Sequence, residues 1–308
     1  MDKKSLLVVG GSGFIGSHLV ERGLSLGWAV TSLGLRKASL GKQENKNLIN
    51  FSVDLNDKKA LKNKIKERHF DYIINCGGYV DHRSFLEGGE QVFNTHFQGL
   101  LNLISSLETS KIKKFINIGS SDEYGSSLAP QKEDVREQPI SPYSLAKVTS
   151  SHLLRFLNIS DNFPCTTLRL FLVYGPNQDK KRFIPNTILG CLRNKSFPCS
   201  SGVQLRDFCY IEDIVDAIFL ALNSSKVDGE ILNIASGEAS KIRDVIEEIH
   251  SLVGRGSPKF GEIPLRAGEN LELYADISKA KELLNWQPKI NLTEGLNHTI
   301  ESYKGHYD

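Results

Sequence analysis

Short apolar runs alternate with longer amphipathic stretches through the first half of the chain. Ser5–Val9 is apolar almost throughout, the pattern of a strand buried on both faces. Residues 13–26 then place Phe14, Ile15, Leu19, Val20 and Leu24 at helical spacing. The alternation repeats. Residues 29–33, 48–53, Tyr72–Asn75, 115–119 and 166–170 predict strands, and 57–68, 92–107 and 141–158 predict helices. Strand–helix alternation of this kind predicts an α/β fold with a parallel sheet, helices on both faces and right-handed crossovers. The second half is less regular. Helices are predicted over 185–193, 212–223, 242–253 and 278–284, residues 176–182 read as a loop, and Trp286-Gln287-Pro288 stops the last helix. With no repeat and no low-complexity linker, residues 1–172 are expected to form a sheet domain. Residues 173–308 then make a smaller, discontinuous α+β unit, some of whose segments return to the sheet.

Composition narrows the partners. The chain has 308 residues, with 38 basic and 36 acidic side chains and a net charge of +2. That balance gives no reason to expect nucleic acid or a membrane surface. No apolar run approaches the ~20 residues of a membrane span, and the run at residues 5–9 is too short for a secretory signal. Cysteines 76, 165, 191, 199 and 209 form no Cys-x-x-Cys and no cluster with histidine. The expectation is therefore no metal site, reduced thiols and a cytoplasmic location.

Glycine changes the picture. Several of the 26 glycines crowd the first 34 residues, and the first strand runs into Gly10-Gly11-Ser12-Gly13-Phe14-Ile15-Gly16. Gly10 permits a tight turn, Gly13 lets backbone approach a pyrophosphate, and Gly16 lets helix pack close to strand. The phosphates would sit at the N-terminus of the helix that Phe14 and Ile15 open. A glycine-rich turn without a ligand is the competing reading, but a strand before and a helix after favour a Rossmann-type dinucleotide site. An acid at the end of the second strand would bond the ribose 2′-hydroxyl of NAD. Here Leu33-Gly34-Leu35 leads to Arg36 and Lys37, and a guanidinium suits a 2′-phosphate, so NADP(H) is favoured with NAD(H) possible. Asp54 ends the third strand, placed to meet an adenine amino group while Leu55 covers the ring; a helix cap is the alternative for Asp54.

Two further motifs carry chemistry. Tyr143 and Lys147 lie four apart on one predicted helix face. A tyrosine hydroxyl is a poor acid–base at neutral pH unless a neighbouring cation lowers its pKa. Ser120 follows the fifth strand, at the end where α/β sheets open their ligand crevice. Its hydroxyl could hold a carbonyl or alkoxide beside Tyr143, or cap a turn.

Together these residues resemble the extended short-chain dehydrogenases/reductases that modify nucleotide sugars. The likeness spans nearly the whole chain. It includes the glycine loop, Asp54, Asn75-Cys76-Gly77-Gly78, Ser120, Tyr143 and Lys147, and Leu168-Arg169-Leu170-Phe171-Leu172-Val173-Tyr174-Gly175-Pro176. In the second half, Arg206-Asp207-Phe208-Cys209-Tyr210-Ile211-Glu212-Asp213, Arg266-Ala267-Gly268-Glu269 and Asn285-Trp286-Gln287-Pro288 match family segments. The resemblance implies that Cys76, Gly77 and Gly78 line the cofactor. It also implies a nucleoside diphosphate sugar whose diphosphate meets Arg206, Arg266 and, more weakly, Arg182, with Glu269 in the same signature. His82, Ser121, Asp122 and Glu123 are expected near the sugar. Leu172 departs from the family, where asparagine often stands and touches substrate. Family members commonly pair as homodimers through a four-helix bundle, here the helices over 92–107 and 144–158.

The loop Ser120–Gly125 bears on the reaction. Sugar 4,6-dehydratases carry an acidic pair one residue further from Tyr-Gly; in that frame the pair positions fall on Ser121 and Asp122. Gly-Ser-Ser-x-Glu-Tyr-Gly is closer to the 4-keto-6-deoxy nucleotide-sugar reductases. The leading expectation is NADPH-dependent reduction of a 4-keto sugar nucleotide, with Tyr143 as acid, Lys147 tuning it and Ser120 orienting the carbonyl. Alternatives are a C4 epimerase or 4,6-dehydratase that recycles NAD(P), a reductase of an unrelated small ketone, or a non-catalytic NADP-binding protein.

Overall fold

A computed structural model describes residues 3–38, 45–265 and 269–304. In chain order its first half runs β1 Ser5–Val9, α1 Phe14–Ser25, β2 Ala29–Gly34, β3 Leu48–Ser52, α2 Lys58–Ile65, β4 Tyr72–Asn75, α3 Gly89–Ser106, β5 Lys114–Ser120, α4 Pro142–Asp161 and β6 Cys165–Leu170. The second half continues β7 Leu172–Tyr174, α5 Phe183–Leu192, β8 Ser196–Cys199, β9 Leu205–Arg206, β10 Phe208–Tyr210 and α6 Ile211–Leu222. It ends with β11 Ile231–Ile234, β12 Ser240–Lys241, α7 Ile242–Val253, β13 Ser257–Phe260, β14 Glu272–Leu273, α8 Ser278–Leu284 and α9 Leu292–Lys304.

The main sheet has seven strands in the order β11-β6-β5-β4-β1-β2-β3, every pair parallel. Its apolar runs are explained by burial on both faces. Leu6 and Val8 of β1 enter one apolar layer with Leu19 and Val20 of α1 and Ile214 and Ile218 of α6. Leu7 and Val9 enter the opposite layer with Leu61, Leu100, Leu103 and Leu154 from α2, α3 and α4. The order reverses between β1 and β4. That switch opens a crevice beyond their carboxyl ends, where α/β sheets bind ligands.

Sequence reading missed the edge strand β11. Its four residues, Ile-Leu-Asn-Ile, are too short for a periodicity, and only pairing with β6 (Leu232 opposite Leu168) makes them a strand. Helix α9 was missed too. Its buried stripe of Leu296, Thr299, Ile300 and Tyr303 is half polar in sequence. Beyond β6 the smaller pairings gather: β7 with β10, β8 with β13, and β9 between β12 and β14. Two buried carboxylates knot this region. Asp207 accepts from the backbone N–H of Ser236 at 2.7 Å and Gly237 at 2.9 Å. Asp213 accepts from Lys289 and Ile290, each at 3.0 Å, and the Trp286 indole donates to the Asp213 carbonyl. Among the described residues no helix is long and apolar enough to cross a membrane.

Candidate active site

The glycine loop fills the crevice floor. Gly10 takes a left-handed φ of +79°, and its N–H donates to the Leu33 carbonyl at 2.7 Å. A Cβ on Gly16 would stand 2.1 Å from the Gly10 carbonyl oxygen, and one on Gly10 would stand 2.7 Å from the Cys76 carbonyl oxygen. A Cβ on Gly13 would clear Gly10 by 3.2 Å. Gly13 is the N-cap of α1, and no side chain satisfies that helix end. Backbone N–H groups and the positive end of the helix dipole thus face the crevice, and among the described residues no acid stands in the first turn to meet them. This cradle fits a dinucleotide pyrophosphate.

Around it, Phe14 and Ile15 pack back on the core. Arg36 and Lys37 are exposed just past β2. Asp54 is exposed past β3 and accepts from the Asn56 N–H. The cap of α2 is Asp57, which accepts from Ala60, so Asp54 is not spent as a helix cap. Leu55 is buried against Gly77 and Gly99. Cys76 donates its thiol to the Val9 carbonyl, and burial pushes that thiol up to about 12, so it stays neutral.

Ser120, Tyr143 and Lys147 converge where β5 ends and α4 begins. Ser141 caps α4, Pro142 occupies its first turn, and Tyr143 and Lys147 are buried one turn apart on the same face. Lys147 Nζ donates to the Ile118 carbonyl on β5 at 2.7 Å. Burial brings its pKa down to about 8, while the Glu123 charge pulls it back up. The Tyr143 phenol is pushed upward, first by burial and then by Asp122, whereas the Ser120 hydroxyl and the Arg182 charge lower it. The Ser120 hydroxyl also accepts the Asp122 N–H at 3.2 Å, so it caps the turn and faces Tyr143 at once.

The neighbouring acids part company. Glu123, expected among the sugar contacts, is wholly buried and turned into the protein. One carboxylate oxygen accepts the Ser120 N–H at 2.9 Å; the other accepts Ser151 Oγ and Arg169 Nε, each at 2.9 Å. Arg169 is itself buried and also pairs with Glu137. A carboxylate locked in such a pair has no route to a substrate. Asp122 turns the other way. Its Oδ2 lies 3.4 Å from Nε2 of His82, and both side chains are partly exposed. Ser121 is buried.

In the second half, Arg206 is buried, pairs with Glu269 at 2.7 Å and donates to the Leu205 carbonyl at 2.8 Å. Arg182 is the exposed N-cap residue of α5. Arg266 lies outside the described residues.

A family model described as "NAD dependent epimerase/dehydratase family" matches residues 6–235. The chain belongs to this family. A Bacillus subtilis protein named an uncharacterized UDP-glucose epimerase is 31% identical, over 96% of each chain. The UDP-glucuronate 4-epimerase of Thermodesulfobacterium geofontis is 28% identical, over 96% of this chain and 94% of its own. Among solved structures, a Thermotoga maritima UDP-glucose 4-epimerase with UDP-glucose superposes with a TM-score of 0.90 at 27% identity, covering 99% of this chain and 100% of that one. A Bacillus cereus UDP-glucuronic acid 4-epimerase, in complex with UDP-glucuronic acid and NAD, gives 0.88 at 26%, covering 98% and 100%. This family member is therefore one of a group of NAD(P)-dependent nucleotide-sugar enzymes with a Rossmann-type sheet.

The structure adds one site residue that the sequence did not signal. His96 sits on the buried face of α3, its ring 5.1 Å from that of Tyr143 in an edge-on arrangement. Its Nε2 bonds the Tyr79 carbonyl at 2.8 Å. Burial, with Lys147 nearby, takes its pKa down to about 3, so the imidazole is neutral. Gly78 has no room for a Cβ because that ring would lie 2.2 Å away. A lone histidine inside an amphipathic helix carries no pattern, and only packing brings it to the phenol.

Proposed function

We propose that this chain is a nucleoside diphosphate sugar 4-epimerase, with uridine diphosphate as the carrier. The observation that carries the choice within the family is the fate of Glu123. A 4,6-dehydratase needs an acid and a base together at the sugar. Here the acidic-pair positions of a dehydratase fall on Ser121 and Asp122, and the next acid, Glu123, is consumed by Arg169, Ser151 and the Ser120 N–H, which leaves Asp122 as the one carboxylate of this loop that faces the crevice. The named activities of the relatives and structural neighbours support the same reading.

NAD, when bound, supplies a hydride acceptor and donor at the sugar's C4. Gly10, Gly13, Phe14, Ile15 and Gly16 would hold its pyrophosphate, Asp54 and Leu55 its adenosine, and Cys76, Gly77 and Gly78 the approach to its reactive ring. Tyr143 takes the C4 hydroxyl proton and gives it back. Ser120 holds the C4 oxygen through both states, and the Lys147 ammonium stabilises the phenolate and binds ribose. Between the two transfers the sugar must present its other face. Arg206, Arg182, Arg266 and Glu269 would anchor the nucleotide end meanwhile, while His82, Ser121 and Asp122 border the sugar. The sheet unit over 1–172 and the unit over 173–308 would close on the ligand from either side.

A net NADPH-dependent reduction of a 4-keto-6-deoxy nucleotide sugar is the second reading, favoured by exposed Arg36 and Lys37 and the lack of an acid at the end of β2. One experiment separates them. UDP-glucose with catalytic NAD should give the C4 epimer by NMR with no net NADH. Stoichiometric NADPH oxidation by a 4-keto sugar nucleotide, with no epimer from UDP-glucose, would put the reductase in its place.

We also infer a homodimer through α3 and α4. Leu145, Phe156 and Ile159 of α4 are exposed, with Phe93 and Phe97 only half-buried on α3. Light scattering should give about twice the 34.3 kDa chain mass, and Phe156→Asp should return the monomer.

A further inference from the structure

We propose that His82 and Asp122 form a proton-transfer dyad that enolises the 4-keto sugar, giving the site a second activity: exchange of the hydrogen on a carbon beside the C4 carbonyl. The inference rests on the reading above in one respect, that a sugar C4 oxygen sits at Tyr143.

The two side chains come from different loops, one after β4 and one after β5, and meet at the crevice. Asp122 Oδ2 lies 3.4 Å from His82 Nε2. The His82 ring centre is 5.9 Å from the Tyr143 ring centre, with the planes inclined by 44°. Side-chain exposure is 41% for His82 and 31% for Asp122, against 0% for Glu123. Asp122 can be reached by a ligand and Glu123 cannot. The Asp122 charge is also felt at the Tyr143 phenol.

A carboxylate beside Nε2 favours the tautomer with its proton on Nε2 and leaves the Nδ1 lone pair as the base. Oxidation at C4 makes the hydrogens on C3 and C5 acidic, and those carbons are one bond from C4, whose oxygen Tyr143 serves. Nδ1 takes the proton. The C–H electron pair becomes the C=C bond of an enolate, and the carbonyl pair moves onto oxygen, where the Tyr143 and Ser120 hydroxyls can donate to it. The imidazolium, stabilised by Asp122, returns a proton to the same carbon. No electron leaves the sugar and no group departs. The partly exposed imidazolium swaps its proton with solvent before returning one to the same face, so the outcome is isotope exchange with configuration kept.

The test uses the full-length enzyme loaded with NAD in D2O and a 4-keto-6-deoxy nucleoside diphosphate sugar as probe. Loss of the C3 or C5 proton signal is followed by NMR, with the mass gain as a second measure. C4 turnover of UDP-glucose is measured separately. Wild type should accelerate exchange at least tenfold over buffer. His82→Gln and Asp122→Asn should each lower exchange at least tenfold more than they lower C4 turnover. Thermal melts of both variants confirm folding. Exchange no faster than in buffer, or exchange that both variants keep, overturns the dyad. C4 epimerisation without exchange of the added ketone ends this proposal and leaves the epimerase. Dyad-dependent exchange with no C4 epimerisation of any UDP-hexose supports the dyad and removes the epimerase.

Discussion

The cradle at β1–α1 and the knot at β9–β10 are built on opposite principles. The cradle is made of backbone and empty space. Gly10 and Gly16 matter for what they lack, and the N-terminus of α1 offers N–H groups that no side chain caps. The knot is made of charged side chains already answered from within. Asp207 is closed by Ser236, Gly237 and Ala275, Asp213 by Lys289 and Ile290, and Arg206 pairs with Glu269. The difference teaches that a motif rich in acids can be wholly internal. In Arg206-Asp207-Phe208, the aspartate holds the backbone of Ser236, Gly237 and Ala275, while Glu269 holds the arginine.

Gly16→Val strikes the cradle at its tightest point. Its side chain would start 2.1 Å from the Gly10 carbonyl, backbone that cannot move without undoing the turn. NAD binding by calorimetry should fall more than 100-fold, an effect of roughly 3 kcal/mol or above. Wild-type affinity would show that the cradle is not defined by space. Gly13→Ala, whose Cβ would stand 3.2 Å from the Gly10 carbonyl oxygen, should disturb the turn itself far less.

Tyr143→Phe removes a function without touching either scaffold. A drop in kcat of about 10²–10⁴, with an unshifted melting temperature, is expected for loss of the general acid–base. Retained turnover would move the proton transfer to another group. Asp207→Ala tests the knot from the other side. It strips acceptors from three backbone N–H groups and should destabilise the fold by roughly 3 kcal/mol in denaturant titration. A loss under about 0.5 kcal/mol would mean that the knot contributes little.

The pH dependence tests the link between Tyr143 and Lys147, the proposed catalytic pair. Burial brings Lys147 down to about 8, so the ammonium is lost as pH rises through that value. Its folded pKa lies below the ordinary 10.5. The buried charge therefore costs stability below about pH 8, and that cost fades between pH 8 and 10.5. kcat should fall roughly tenfold per unit above the apparent pKa while the protein stays folded; a flat profile to pH 9.5 would remove the ammonium from catalysis. The smallest effect is expected from Arg206→Lys. Losing the planar fork should raise KM for the nucleotide sugar about tenfold and leave kcat nearly unmoved.

Much of the fold was legible because buried parallel strands must be apolar on both faces. Six strands of the main sheet and the helices between them could be read from that pattern, and the glycine loop from the residues that steric contact forbids elsewhere. These are local constraints, written in adjacent residues. Strand β11, the neutrality of His96 beside Tyr143 and the opposite turns of Asp122 and Glu123 were decided by contacts across the chain. Asp122 and Glu123 are neighbours of the same chemistry, yet Arg169, 46 positions away from Glu123, claims one carboxylate while His82 meets the other. A buried charge must be paired where it lies, and the partner is chosen by tertiary packing, which no local pattern of residues can state.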